Sequence, residues 1–173
     1  MWCRPLVLLV LASALCLTGC NGVFYQPSRG LFAPQPDNAE DVELRSADGT
    51  RLQGWLLHAE DGPPKATFVH FHGNGGNITG HVRQLQWVTR HSYDLFEFDY
   101  RGYGASEGLP TPKGVHEDAV AAMRYAARVL GPRSHTRLIF YGQSLGGAVM
   151  LRALAEAGPE LVDAVIVESS FHS

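Results

Sequence analysis

Cysteine is nearly absent from this chain of 173 residues, and its placement excludes several kinds of chemistry. The only three cysteines are Cys3, Cys16 and Cys20, all within the first segment. The rest of the chain therefore has no disulfide, no catalytic thiol and none of the Cys/His spacings of a zinc site. We expect no metal in the folded part.

An excess of positive charge is also lacking. The 14 lysines and arginines are outnumbered by 17 acidic residues, so the formal net charge is −3. With no basic stripe in the sequence, this balance argues against a nucleic-acid partner. A composition that is 45% hydrophobic and 18% charged suits a single globular domain. Internal repeats and low-complexity segments are absent from the sequence.

The apolar run at the start of the chain, residues 6–12, is too short to span a bilayer. Arg4 precedes it, as is typical of a signal peptide. The run Leu17-Thr18-Gly19-Cys20 resembles the bacterial lipoprotein signal, in which Cys20 becomes the lipidated first residue. We therefore predict a signal peptide over 1–19 and an exported protein held by acylated Cys20 on the bacterial cell membrane or outer membrane. The alternative is an ordinary signal peptide with a coincidental cysteine.

Residues 20–40 have the proline and glycine content of a tether. Phe24, Tyr25 and Phe32 are unusual in a free linker, so we expect them to pack along the edge of the domain.

Residues 41–173 alternate between strand and helix patterns. Asp48-Gly49 lies between two strand-like runs, 42–46 and 51–58, which predicts a hairpin. Further strands are predicted at 66–71, 93–98, 138–141 and 164–167, the first and last of them as buried strands. The spacing of apolar residues predicts helices over 78–88, 115–130 and 148–157. Asn77 is the predicted N-cap of the first helix, and Gly131-Pro132 marks the end of the second. The pattern predicts an α/β fold: a mostly parallel sheet covered by helices on both faces, with an N-terminal antiparallel hairpin.

The most informative motif is Gly142-x-Ser144-x-Gly146, between an apolar strand and a helix. This pattern is typical of a nucleophile elbow. On so tight a turn, a side chain at Gly142 or Gly146 would collide with the neighbouring strand or helix. The turn lifts the Ser144 hydroxyl clear of the sheet and places the Leu145 N–H at a helix N-terminus, where it can stabilise an oxyanion.

Three segments together resemble the α/β-hydrolases, specifically their small esterase-like, thioesterase-like or serine-aminopeptidase-like serine hydrolases. They are residues 71–77 (FHGNGGN), 98–106 (FDYRGYGAS) and 142–147 (GQSLGG). The resemblance implies that Ser144 is a nucleophile acting on an ester, thioester or amide. It also implies that the backbone N–H groups of Asn74 and Leu145 form the oxyanion hole, without metal or organic cofactor. A nucleotide loop does not fit the glycines at 73–76, because the third glycine of a dinucleotide site and the Gly-Lys-Ser/Thr of a P-loop are missing.

Other polar residues have a structural interpretation. The family pattern makes His72 a structural loop histidine rather than the catalytic base. Asp99 and Arg101 precede Ser144, whereas the order in this fold is nucleophile, acid, histidine, so we interpret them as an ion pair or loop brace. Glu107, His116 and Asp118 are predicted to lie on the surface.

The triad acid and histidine are difficult to place after Ser144. The only histidine there is His172. Glu168 precedes it by only four residues, and could be the triad acid only if His172 reached Ser144 while Glu168 oriented it from behind. We therefore predict that the chain ends before the family's acid and histidine strands, and that 41–173 is a partial domain. The alternative function is a non-catalytic remnant or binding module on the same scaffold.

Overall fold

A computed structural model of the chain describes residues 24–134 and 137–170. The strands in that part of the chain are β1 (Ala39–Arg45), β2 (Arg51–Leu57), β3 (Ala66–Phe71), β4 (Asp94–Phe98), β5 (Arg137–Gln143) and β6 (Ala164–Glu168). The α-helices are α1 (Ile78–Leu85), α2 (Pro112–Tyr125), α3 (Gly131–Ser134) and α4 (Leu145–Ala157). Short 3₁₀ helices lie at Gln86–His91 and Pro159–Leu161, and a π-helical turn at Ala126–Leu130.

The strands form one sheet in the order β1-β2-β4-β3-β5-β6. β1 and β2 form an antiparallel hairpin and β2 is antiparallel to β4, whereas β4, β3, β5 and β6 are parallel. At the hairpin turn Gly49 has a φ of 87°, and the Asp48 carboxylate accepts from the Thr50 N–H at 3.1 Å. The predicted fold class and the Asp-Gly hairpin are confirmed.

Helices cover both faces of the sheet. On one face the strands pack against α2 and α4 through Phe71, Phe98, Phe140, Met123 and Met150. On the other face they pack against α1 through Leu57, Leu95, Tyr141, Ile78 and Val82. Because successive side chains of a strand point to opposite faces, the central strands are apolar on both sides and bury nearly every residue.

The helix starts follow the capping chemistry of the sequence. Asn77 caps α1 by accepting from the Thr79 N–H at 3.0 Å, as predicted. Thr111 caps α2 by accepting from Gly114, and Pro112 occupies the first turn. The helical run continues past the predicted end, because Gly131 has helical angles of −54° and −53° and a proline is tolerated in the first turn of α3.

The predicted burial of the last strand is wrong. β6 forms and pairs with β5, but every residue in it is exposed, with Val165, Ile166 and Val167 at 39%, 42% and 44%. The reason is its position as the outer strand of the described sheet, where β5 is the one strand that pairs with it.

The segment before β1 only partly follows its prediction. Tyr25 is buried, whereas Phe24 and Phe32 are 71% and 54% exposed. The predicted signal peptide and Cys20 lie outside the described residues. None of the helices formed by the described residues has both the length and the apolar character needed to cross a membrane.

Candidate active site

Ser144 connects β5 to α4 in a backbone conformation that L-residues rarely adopt, with φ 50° and ψ −120°. The crowding predicted around it is present. A Cβ at Gly142 would lie 2.6 Å from the Gly147 Cα, and a Cβ at Gly146 would lie 1.9 Å from the carbonyl oxygen of Phe71. Only glycine fits at these two positions, so strand and helix pack closely enough to force the turn at Ser144.

Residues at and beyond the end of β6 brace this turn. The Ser144 N–H donates to the Glu168 carbonyl at 2.9 Å, and the Ser170 hydroxyl donates to the Ser144 carbonyl at 2.7 Å. The Gly147 N–H reaches the same carbonyl at 3.1 Å. Hydrogen bonds on both sides of the residue therefore hold the strained backbone, while the serine itself stays half-buried.

The loop after β3 lies directly beside the turn. A Cβ at Gly73 would lie 3.6 Å from the Ser144 Cβ and 3.5 Å from the Gln143 side-chain oxygen. The predicted oxyanion donors thus flank Ser144, with Leu145 at the N-terminus of α4 and Asn74 next to Gly73 in the neighbouring loop. Within residues 24–134 and 137–170, no hydrogen bond occupies either backbone N–H.

The side chain of Asn74 is a clamp that sequence reasoning missed. Its Oδ1 accepts from the Gln26 N–H and the Tyr103 hydroxyl, each at 2.9 Å, and from the Gly75 N–H at 3.1 Å. Its Nδ2 donates to the Phe24 carbonyl. The asparagine therefore ties the loop to residues 24–26 and to the loop after β4.

Residues 27–32 extend this attachment along the same loop and into α1. The Ser28 N–H donates to the Gly76 carbonyl at 3.1 Å, and Asn77 Nδ2 donates to the Ser28 and Gly30 carbonyls at 2.9 and 2.7 Å. The Phe32 N–H donates to the Thr79 hydroxyl at 2.9 Å. The predicted tether is thus, from residue 24 onward, part of the site's support. The aromatic residues in it were the only sequence signal.

His72 is buried beneath the loop and has the structural role predicted for it. Its Nδ1 donates to the Gly73 carbonyl at 2.8 Å, and its Nε2 lies 3.4 Å from Asp99 Oδ1. Asp99 also accepts from the Ile78 N–H at 2.9 Å, which joins it to the N-terminus of α1. Burial raises the pKa of Asp99 despite the opposing effect of His72. This pair supports the loop from below.

Two further histidines, His70 fully buried and His81 half-buried, complete the layer between β3, β4 and α1. His70 donates to Glu97 at 2.8 Å with both side chains fully buried. His81 on α1 stacks on the His72 ring and donates to the Gly75 carbonyl at 2.8 Å. Burial, followed by the proximity of His72, lowers the pKa of His81 to about 4. In the described chain, no three His, Cys, Asp or Glu side chains are arranged to hold a metal ion, this cluster included.

Arg101 is a brace, as predicted, but its partners differ from the predicted one. Its guanidinium contacts Asp118 and Asp48 at 2.8 Å each rather than Asp99. The hydrogen bonds that its guanidinium donates to the Asp118 carboxylate raise the pKa of Arg101 above its usual value. The predicted surface position of Asp118 is wrong: its side chain is fully buried, because α2 turns it toward Arg101. Glu107 is exposed, as predicted.

The catalytic acid and base are not assembled among the described residues. No histidine of residues 24–134 or 137–170 hydrogen-bonds to the Ser144 side chain. Glu168 approaches Ser144 through its backbone carbonyl, while its side chain is exposed. His172 lies outside the described residues, so the alternative Glu168–His172 pair stays a prediction. Surface grooves of about 360 and 400 Å³ lie elsewhere, lined by α2 and by residues 56–64, and do not include Ser144.

Known proteins match this sequence and fold. A family model described as serine aminopeptidase, S33 (Hydrolase_4) matches residues 62–173. Over 153 residues the chain is 39% identical to the uncharacterized protein YfhR of Escherichia coli strain K12, with 87% of this chain and 54% of YfhR covered. Over 138 residues it is 36% identical to the alpha/beta hydrolase domain-containing protein WAV2 of Arabidopsis thaliana, with 78% and 43% covered. The chain spans about half the length of the curated relatives it matches.

The fold also matches a solved structure, that of the Pyrococcus furiosus esterase Pf2001. The TM-score is 0.69 at 23% sequence identity, and the match covers 84% of this chain and 58% of the esterase. At this level of identity the match shows a shared fold.

Proposed function

The chain belongs to the serine aminopeptidase S33 family of α/β-hydrolases, and we propose that it acts as a serine hydrolase whose nucleophile is Ser144. The Ser144 Oγ attacks the carbonyl carbon of an ester, thioester or amide while a base takes its proton. The alcohol, thiol or amine leaves with a proton, and water then hydrolyses the acyl-serine to release the acid and restore Ser144.

The observation that carries this proposal is the strained backbone of Ser144, with φ 50° and ψ −120°. A non-glycine residue in so sparsely populated a region costs roughly 1–3 kcal/mol. Glycine would relieve that cost, yet a serine occupies the position between glycines that force the turn. Such strain is retained where it presents a reacting group, here a hydroxyl at the start of α4.

The Leu145 and Asn74 N–H groups would stabilise the tetrahedral oxyanion. Leu145 opens α4, where the unpaired N–H groups and the helix dipole favour negative charge. Asn74 follows Gly73 and is held by its own side chain, which keeps its backbone near the turn. Removal of one such donor typically slows hydrolysis by 10²–10³-fold.

The proposal assigns the base and its acid to residues outside the described part of the chain. His72 is unsuited to this role because it is fully buried, hydrogen-bonded to Gly73 and stacked on His81. The proposal also includes membrane attachment through an acylated Cys20.

A serine-directed fluorophosphonate probe tests the proposal on the full-length protein. The wild type should be labelled and Ser144→Ala should not, with hydrolysis of an activated ester falling by several orders of magnitude. Ser92→Ala is the matched control, since Ser92 is another half-buried serine with positive φ but lies at the opposite edge of the sheet, before β4. Labelling that persists in folded Ser144→Ala would exclude Ser144, and a folded wild type without any labelling would favour the binding module.

A further inference from the structure

Three large apolar side chains are exposed on one short segment of the chain. Phe24, Leu31 and Phe32 are 71%, 76% and 54% exposed, and we call them the apolar rim. Arg29, also exposed, lies between them in the sequence. Aromatic and aliphatic side chains beside a cation are the combination that inserts at a lipid interface, where the cation meets the headgroups.

Hydrogen bonds attach the two ends of the apolar rim to the loop after β3 and to the start of α1. The Phe24 carbonyl accepts from Asn74, and the Phe32 N–H donates to Thr79 at 2.9 Å. The Phe32 ring lies 3.5 Å from the point where a Cβ of Gly80 would stand and 4.0 Å from that of Gly76. The rim therefore borders residues 74–80, the loop and helix start that follow Gly73, the residue beside Ser144.

The distance to Cys20 restricts how far this rim can lie from a membrane. Phe24 is the fourth residue after Cys20, and a fully extended chain spans at most about 3.6 Å per residue. If Cys20 is acylated, Phe24 lies within roughly 14 Å of the anchored residue. A globular domain of this length has a radius of gyration of roughly 15 Å, so this reach is shorter than its diameter and an anchored domain keeps Phe24 near the bilayer.

We propose that the apolar rim contacts the lipid bilayer and turns the mouth of the Ser144 site toward it, so that the enzyme takes acyl esters carried by membrane lipids. This inference rests on the proposed hydrolase function and gives it a substrate class. The ester would enter from the bilayer between the rim and the Ser144 turn, with its acyl chain against Phe24 and Phe32.

Binding to vesicles of phosphatidylethanolamine and phosphatidylglycerol tests the contact. Protein that lacks only residues 1–19 and carries Cys20→Ser is used, so that neither a lipid anchor nor an uncleaved signal masks the weaker contact. Leu31→Gln should weaken co-flotation with vesicles about tenfold, and Leu31→Trp should strengthen it. Leu109→Gln is the matched control: Leu109 is 79% exposed but lies in a loop beside Thr50 of the β1–β2 hairpin, so binding should change less than about twofold.

Hydrolysis of two esters tests the substrate class. Leu31→Gln should keep its rate on a water-soluble short-chain ester within about twofold and lose roughly tenfold on a long-chain ester embedded in the same vesicles. The membrane contact would be refuted if Leu31→Gln bound vesicles as well as the parent protein does. It would also be refuted if Leu31→Gln and Leu109→Gln lost vesicle binding equally. A dimer that dissociates in Leu31→Gln, without flotation of the parent, would show that the rim binds a second copy instead.

The two proposals fail in different ways. If Ser144→Ala retains turnover of the soluble ester, the hydrolase proposal fails, whereas flotation still decides the membrane contact. If flotation depends on Leu31 but the vesicle-borne ester is hydrolysed no better than the soluble one, the substrate class is wrong and the contact stands.

Discussion

The substitution Gly146→Ala should force the end of β3 away from α4, and the resulting loss of stability follows from the local distances. The added methyl carbon would lie 1.9 Å from the Phe71 carbonyl oxygen and 2.4 Å from that of His72. Real Cβ contacts are essentially never shorter than 3.0 Å, so the carbonyl oxygens of Phe71 and His72 would have to move away by about 1.1 and 0.6 Å. Phe71 is fully buried in a strand paired on both sides, which leaves no space for that movement. We expect a loss of about 3 kcal/mol or more in the free energy of unfolding.

Gly80→Ala is the matched control for this substitution. Its new methyl carbon would lie 3.5 Å from the nearest atoms, which belong to Phe32, an ordinary contact, and Gly80 lies within α1. Alanine should therefore stabilise the protein by about 0.5–1 kcal/mol, because glycine is the poorer helix former. Urea unfolding of the full-length protein followed by circular dichroism measures both changes. A Gly146→Ala protein within about 0.5 kcal/mol of the wild type would refute the argument from crowding.

Two further predictions concern charge and attachment. The pKa of His81 is about 4 in the folded protein against 6.5 in the unfolded chain. As the pH falls from 6.5 toward 4, the unfolded chain therefore binds a proton that the folded protein does not, and the free energy of unfolding decreases. Between pH 7 and 4.5 the wild type should lose about 2 kcal/mol more than His81→Gln in chemical denaturation, and parallel losses would contradict this assignment. Cys20→Ser should release the protein from the membrane fraction or leave it held only by an uncleaved signal. Mass spectrometry showing an unmodified Cys20, or cleavage at another residue, would exclude lipidation.

Local features of the fold could be predicted because their causes lie within a few residues. Asn77 caps α1 through its own side chain, and Asp48-Gly49 makes its turn with a positive φ at the glycine. The glycines around Ser144 mark the sharp turn in the same way, since a close approach of strand and helix excludes every larger residue. These signals need no knowledge of which strand lies next to which.

The features that the sequence did not reveal depend on partners distant in the chain. Asp118 is buried because Arg101, 17 residues earlier, meets it across the end of the sheet. β6 is exposed because of its place in the strand order, which its apolar composition does not encode. The clamp on Asn74 joins residues 48 and 50 positions apart.

The sequence by itself thus determined the order of strands and helices, the hairpin and the strained turn at Ser144. Secondary-structure propensity, helix capping and the exclusion of side chains at crowded glycine positions act locally, so each can be predicted one segment at a time. Only the tertiary structure decided that hydrogen bonds join residues 24–32 to the loop after β3 and the start of α1, that buried His72 lies beneath this loop, and that Phe32 of the apolar rim lies beside Gly76 and Gly80. Those arrangements arise when the parallel strands bring the ends of β3, β4 and β5 to one edge, where loops from distant parts of the chain meet.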